Sequence, residues 1–191
     1  MQSAAAVAAP KYDEGKFREL FLYVHARLAG DPSNGSLKSN KVLFFSDFIH
    51  YAAFGRPITG VPYIHRQFGP APSGAKRVQK DLIESDDADL VVIGSGPAYQ
   101  KMLFPKRKPD LSEFTPEEIS TVNMVLEALK DHTGHEASDF SHAWLAWKLT
   151  RMGEEIPYSW GLMYDGPVPD ETFTFAEGLV QEIREQAGAA A

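Results

Sequence analysis

The sequence predicts a mainly α-helical fold of the α+β class: a compact bundle of about six helices with a small β-hairpin or sheet. Apolar residues recur at three- and four-residue steps along much of the chain, which is the spacing of one helix face. Stretches rich in glycine and proline separate these segments. One pair of short apolar runs flanks a Gly-Ser-Gly-Pro turn, a pattern typical of a hairpin.

Five of the predicted helices precede residue 153 and the sixth follows it. They span about 13–28, 37–54, 73–84, 115–134, 138–152 and 173–186. The fourth helix has the clearest start, because Thr115 and Glu118 form a capping box around Pro116, which suits the first helical position. We expect Gly134 to end the fourth helix and Gly153 to end the fifth.

The second helix has a wide apolar face and a narrow polar stripe that contains Ser46, Asp47 and His50. Asp47 and His50 lie one turn apart, so their side chains can touch, as in the acid–base pairs of hydrolases. However, the chain has no Gly-x-Ser-x-Gly motif or comparable serine that such a pair would activate. We therefore interpret the two residues as a polar bridge to a neighbouring helix.

The two predicted strands, 90–93 and 99–104, enclose the turn 94–97. The segment resembles the first strand and turn of flavin-binding Rossmann domains, in which a helix follows the glycines and holds the pyrophosphate. Here the residues after the turn show no helical stripe and reach Pro105 within a few positions. We therefore predict a hairpin. A small enzyme or a nucleotide- or flavin-binding protein that uses Gly94, Ser95 and Gly96 is the alternative function.

Composition excludes several classes of protein. Of the 191 residues, 43% are apolar and 24% charged, which is typical of globular domains. The absence of cysteine rules out disulfides, thiolate catalysis and cysteine-bound zinc, and it suits a cytoplasmic location. No apolar run is long enough to span a bilayer, so we expect no membrane partner.

The net charge of −7 gives no reason to expect a nucleic-acid partner. Residues 1–108 contain 15 basic and 10 acidic residues, whereas residues 109–191 contain 4 and 16. This asymmetry suits either ordinary solvated faces or two surfaces of opposite sign that steer a charged protein partner.

Histidines offer no clear metal site. His132 and His135 have a spacing that allows two metal ligands, but they lie at a polar helix end and no larger ligand motif surrounds them. We therefore predict no catalytic, cofactor or metal site.

The fifth helix has two faces of different character. His142 heads an apolar stripe and is interpreted as a core residue with a satisfied hydrogen bond. The stripe that follows consists of Leu145, Leu149 and Met152. Trp144, Trp147 and Arg151 lie on the far side, which is the composition of a protein-binding hot spot or of a helix buried on both sides.

A series of motifs resembles the SocA-like antitoxins, also called the Panacea domain. The motifs are LKSNKVLFFSDFIHY at 37–51, GRPITG at 55–60, Tyr63, FGPAP at 68–72, FSH at 140–142 with Trp147, and GEEIPY at 153–158. The resemblance covers about residues 15–165. It implies a compact, mainly helical antitoxin, not an enzyme, that binds and neutralises a cognate protein toxin by direct contact.

The resemblance also implies which residues matter. The framework residues that match the family pattern are Asp47, His50, Gly69, Pro70 and His142. Because two prolines restrict the backbone between 69 and 72, this turn can rigidly present residues 66–68. The candidate toxin-binding residues are Tyr63, Arg66, Phe68, Trp144, Trp147 and Arg151.

We expect one antitoxin domain over 11–187, between flexible alanine-rich ends at 1–10 and 188–191. The last residues, Ala189, Ala190 and Ala191, resemble the C-terminal signals that Clp proteases read. The protein would then be a labile antitoxin or a proteolytic adaptor that delivers the toxin to a Clp protease. The alternative is a frayed helix end without a role.

Overall fold

The computed structural model describes residues 10–93 and 99–160. Its helices are α1 (Glu14–Arg27), α2 (Ser36–Phe54), α3 (Ala75–Glu84), α4 (Pro116–Leu129), α5 (Gly134–His142) and α6 (Leu145–Leu149). Its strands are β1 (Tyr63–Ile64), β2 (Ala71–Pro72), β3 (Ala88–Ile93), β4 (Gln100–Pro105) and β5 (Glu155–Ile156), followed by a 3₁₀ turn at Tyr158–Trp160. The predicted α+β class with several helices and small sheets is confirmed. None of the described helices is both long and apolar enough to cross a bilayer.

Helix α2 is the centre of the bundle and packs against α1, α4 and α5. Its phenylalanines Phe44, Phe45 and Phe48 are fully buried and contact one another's rings or those of neighbouring aromatic residues. The predicted polar stripe is buried as well, since Ser46, Asp47 and His50 are all inaccessible. Other segments cover α2 at these positions and supply hydrogen-bond partners for Asp47 and His50.

Two small antiparallel sheets complete the described fold. Strand β1 lies between β2 and β5, with Tyr63 opposite both Pro72 and Ile156. This sheet joins the segment after α2 to the segment after α6, which are far apart in sequence.

The second sheet is the predicted hairpin. Strands β3 and β4 pair over six positions, from Ala88 opposite Pro105 to Ile93 opposite Gln100. The residues between them, 94–98, lie outside the described part of the chain. Because a paired strand begins at Gln100, the strand–turn–helix order that a flavin-binding fingerprint needs is not present, and the hairpin prediction is confirmed.

The start of α4 is as predicted. Thr115 caps the helix: its side chain accepts a hydrogen bond from the Glu118 backbone N–H, and the Glu118 carboxylate accepts one from the Thr115 backbone N–H. Its end is not as predicted: α4 stops at Leu129, and Gly134 begins α5 behind a second capping box at Thr133.

The predicted fifth helix is broken into α5 and α6. Trp144 has an extended backbone (φ −69°, ψ 132°) and caps α6, which places its ring against Phe44, Phe45 and Phe48 at centroid distances of 5.5–6.1 Å. The predicted inward stripe is also wrong, since Leu149 and Met152 are exposed. The predicted sixth helix and the C-terminal alanines lie outside the described residues.

Candidate functional site

Asp47 is a buried carboxylate that fixes the loop after α2. It accepts hydrogen bonds from the Thr59 backbone N–H (2.8 Å), the Thr59 hydroxyl (2.7 Å) and the Tyr63 hydroxyl (2.9 Å). Burial raises the pKa of Asp47, and the hydrogen bonds from Thr59 and Tyr63 partly oppose that shift. Asp47 therefore bridges α2 to a loop and to β1, not to a neighbouring helix as expected.

Tyr63 belongs to the core. Its side chain is completely inaccessible, its ring contacts Phe44 and Phe48 at 5.5 and 5.6 Å, and burial raises the pKa of its hydroxyl. Because its side chain is inaccessible, Tyr63 cannot contact a toxin as predicted.

His50 forms the expected bridge between helices. The Thr121 hydroxyl donates to the Glu117 carbonyl (2.9 Å), so the His50 Nδ1–H donates to that hydroxyl across 3.1 Å. Its Nε2 is buried and has no partner among the described residues. Burial lowers the pKa of His50 to about 4, so the ring is neutral near pH 7. Asp47 and His50 have different partners and do not act as an acid–base pair.

The turn at Gly69 and Pro70 is fixed by buried polar groups. The Gly69 N–H donates to the Arg66 carbonyl (2.9 Å), and Gly69 has a left-handed backbone (φ +81°). A Cβ at this position would lie 2.3 Å from Ser141 Oγ and 2.7 Å from Lys41 Nζ. Glycine is therefore required by both conformation and space.

Lys41 and Ser138 hold the same turn by its carbonyl groups. The Lys41 ammonium donates to the Pro70 carbonyl (2.7 Å), and the Ser138 hydroxyl donates to the Phe68 carbonyl (2.8 Å). Burial lowers the pKa of Lys41 to about 7. Sequence reasoning missed both residues, because a lysine and a serine on amphipathic helices look like surface positions. The one signal was Lys41's position inside the motif at 37–51.

His142, Trp147 and His65 form a stack beside this turn. The Trp147 ring stacks on the rings of His142 and His65, with 4.1 and 4.4 Å between the ring centroids. Burial, with Lys41 as a second cause, lowers the pKa of His142. The Thr150 hydroxyl donates a hydrogen bond to the Ala146 carbonyl. It accepts one from the His65 Nδ1–H, with 3.0 Å between Nδ1 and the hydroxyl oxygen. Trp147 is thus half-buried structural packing, as is Trp144 against the phenylalanines of α2.

Two exposed turns meet at His65. The His65 N–H donates to the Glu154 carbonyl (2.9 Å), and the Gly153 N–H donates to the His65 carbonyl (3.0 Å). These bonds place the turn at 150–154 next to the segment that leads into the turn at 66–69. We give the name two-turn surface to Arg66 and Phe68 of the first turn, Arg151 and Met152 of the second, and Leu149 at the end of α6, all of which are exposed. Gln67, Gly153 and Glu154 in the same turns are exposed as well.

The two-turn surface is apolar at three positions. Phe68, Leu149 and Met152 expose 52%, 55% and 60% of their area. Sequence reasoning identified Phe68 but assigned Leu149 and Met152 to the core, since it did not foresee the break before α6. A second exposed apolar group lies on the hairpin and consists of Val91, Val92, Ile93 and Tyr99.

The two histidines whose spacing allows metal ligands, His132 and His135, do not belong to a larger cluster in 10–93 and 99–160. Within these ranges no group of three histidine, aspartate or glutamate residues is close enough to hold a metal ion. His132 and His135 instead contact the rings of Phe140 and Phe68. An open cavity of about 380 Å³ is lined by Lys16, Arg56 and Glu118 among others, but by none of the predicted site residues.

Comparison with known proteins gives one finding. No curated protein and no solved structure matches the chain significantly. The family model described as "Antitoxin SocA-like, Panacea domain" matches residues 40–148. This range contains all five framework residues, together with Lys41, Ser138 and Trp147, whereas α1 and β5 lie outside it. The chain belongs to the SocA-like antitoxin family with a Panacea domain.

Proposed function

We propose that this antitoxin neutralises a cognate protein toxin by binding it directly through the two-turn surface. The observation that carries the proposal is the exposure of more than half of Phe68, Leu149 and Met152, which lie on or next to two turns whose backbones are held by hydrogen bonds. Large apolar side chains that stay exposed on neighbouring segments are typical of interaction sites.

The composition of the surface supports a protein partner. Aromatic residues, methionine and arginine are enriched in protein interfaces, and the two-turn surface contains all three. A rigid surface also loses less conformational freedom when it binds, which favours affinity.

Charge indicates the chemistry of the toxin surface. The guanidinium groups of Arg66 and Arg151 are exposed and have no side-chain hydrogen bond or ion pair within the described ranges. Arg66 precedes Phe68, and Arg151 lies between Leu149 and Met152. The one acidic residue of these two turns, Glu154, accepts a hydrogen bond from the Arg151 backbone N–H. We therefore expect the toxin to present an apolar patch bordered by aspartate or glutamate carboxylates.

The hairpin is the competing surface. Val91, Val92 and Ile93 are all exposed, and β3 pairs with β4 alone among the described strands. A partner strand that added to the free edge of β3 would use main-chain bonds and not the two turns. Variants of the hairpin therefore serve as the control for variants of the two-turn surface.

The test is to purify the chain with the protein encoded in the adjacent reading frame and to measure the dissociation constant. Phe68→Ser and Met152→Ser should each weaken binding by about tenfold or more, as expected for central interface residues. Val92→Ser, which removes a side chain of similar exposure from the hairpin, should leave binding within about twofold. Melting temperatures should be unchanged in all three variants, because the side chains are exposed.

The role of the two arginines can be tested by the kinetics of binding. Arg66→Glu and Arg151→Glu should slow association at low salt, with a smaller effect at high salt, because rim charges steer encounter. If Val92→Ser abolishes binding while Phe68→Ser and Met152→Ser do not weaken it, the hairpin is the contact and the two-turn surface is not.

We further propose that the bound toxin is delivered to a Clp protease through the C-terminal end at Ala189, Ala190 and Ala191. These residues lie outside the described part of the chain, and the support for this step is their sequence alone. The step is separable from toxin binding, since the two-turn surface does not include these three residues.

A further inference from the structure

Lys41 is a buried ammonium group that lacks a carboxylate partner. Its side chain is completely inaccessible, and in the described chain its one hydrogen bond is to the Pro70 carbonyl. Lys38, one turn earlier on α2, is buried too, but its ammonium pairs with the Asp31 carboxylate and also bonds to the Lys130 carbonyl. Burying an ammonium group without a counter-charge is unfavourable, so Lys41 needs a reason other than stability.

The contacts of Lys41 show what it holds. The carbonyls on either side of Gly69 are each bonded from beneath, that of Phe68 by Ser138 on α5 and that of Pro70 by Lys41 on α2. The missing Cβ of Gly69 leaves the space in which the Lys41 ammonium and the Ser141 hydroxyl approach the backbone. The turn that carries Arg66 and Phe68 is therefore clamped to two different helices.

We propose that Lys41 is a positioning residue for toxin recognition: it fixes the turn 66–70 so that Arg66 and Phe68 are presented in the bound conformation. This inference rests on the proposed function, in which the toxin contacts these two side chains. A turn that is ordered before binding loses less freedom on association, so loss of the clamp should appear mainly as faster dissociation.

The variant Lys41→Met tests the inference. Methionine is unbranched and apolar like the lysine stem, but it has no ammonium, and replacing a buried charge by an apolar group is often neutral or stabilising. We expect an unchanged or higher melting temperature. Below pH 7, where Lys41 is protonated, we also expect the Gly69 amide to exchange with solvent about tenfold faster or more, because a hydrogen bond from a charged donor is worth at least that factor. Dissociation of the toxin should accelerate by a similar factor.

Lys38→Met is the matched control. It removes a buried lysine from the same helix, but one whose bonds go to Asp31 and Lys130 and not to the turn. This variant should lower the melting temperature, since it leaves the Asp31 carboxylate without its partner. Exchange at Gly69 and toxin dissociation should stay within about twofold of the unmodified chain.

The outcomes separate the two proposals. Unchanged exchange at Gly69 in Lys41→Met overturns the role of Lys41, even if Phe68→Ser weakens toxin binding. A lower melting temperature with uniformly faster exchange overturns it as well, because Lys41 would then be general packing. Normal toxin binding by Phe68→Ser refutes the proposed surface by itself, whatever the exchange of Gly69 shows.

Discussion

Replacing Gly69 by alanine should destabilise the protein in a way that the geometry of the turn makes quantitative. The backbone there is left-handed, which is unfavourable for alanine by about 1–2 kcal/mol. The new methyl group would lie 2.3 Å from Ser141 Oγ and 2.7 Å from Lys41 Nζ, so it adds an overpacking penalty of about 1–3 kcal/mol. The total loss in the free energy of unfolding is therefore expected to be about 2–5 kcal/mol.

Gly55 provides the control, because it has a similar left-handed backbone (φ +72°) with no atom within 4 Å of its Cβ position. Gly55→Ala should lose only the conformational part, about 1–2 kcal/mol. Urea denaturation of both variants, followed by tryptophan fluorescence, gives the two free energies directly.

The reasoning is refuted if Gly69→Ala is no less stable than Gly55→Ala. That result would mean that Lys41 and Ser141 move aside without cost, and the turn would not be the tightly held element described above.

Further predictions concern titration and the C-terminal end. Burial lowers the pKa of Lys41 to about 7 from an ordinary 10.5. Between pH 7 and pH 10.5 the lysine is therefore protonated in the unfolded chain and mostly neutral in the folded protein. The free energy of unfolding should rise between pH 7 and 10.5, by about 5 kcal/mol at most, and urea titrations of Lys41→Met should lack this rise. Burial lowers the pKa values of His25 and His50 to about 4. As the pH falls below 6.5, both histidines therefore become protonated in the unfolded chain before they do so in the folded protein. Stability should fall between pH 6.5 and 4 by about 3 kcal/mol for each histidine, and glutamine in place of either should reduce that acid slope in the same titrations. Replacing Ala190 and Ala191 by aspartate should leave toxin binding intact and lengthen the antitoxin's lifetime in a gel assay with purified Clp protease. Equal decay rates for the unmodified protein and the aspartate variant would show that the C-terminal alanines have no role in degradation.

The sequence was sufficient where local chemistry decides the structure. The capping box at Thr115 and Glu118 specifies the start of α4 without help from the rest of the chain. The hairpin was predictable for the same reason, since two apolar runs around a glycine-rich turn pair locally. The family motifs likewise indicated the family to which the chain belongs.

The errors arose where distant segments decide the outcome. Periodicity placed Asp47 on the polar stripe of α2, and we expected its partner on a neighbouring helix. The pattern could not show that the loop at Thr59 would supply that partner. The break at Trp144 depends on the ring's fit against the phenylalanines of α2, which local propensity does not report. Leu149 and Met152 then fell on the surface and not in the core.

The most direct test of direct toxin contact is amide hydrogen exchange of the antitoxin, measured alone and saturated with its toxin. The account predicts slower exchange in the complex at 65–69 and 149–154, with little change on the hairpin strands at 88–93 and 100–105. Protection confined to the hairpin strands, with 65–69 and 149–154 unchanged, would contradict it.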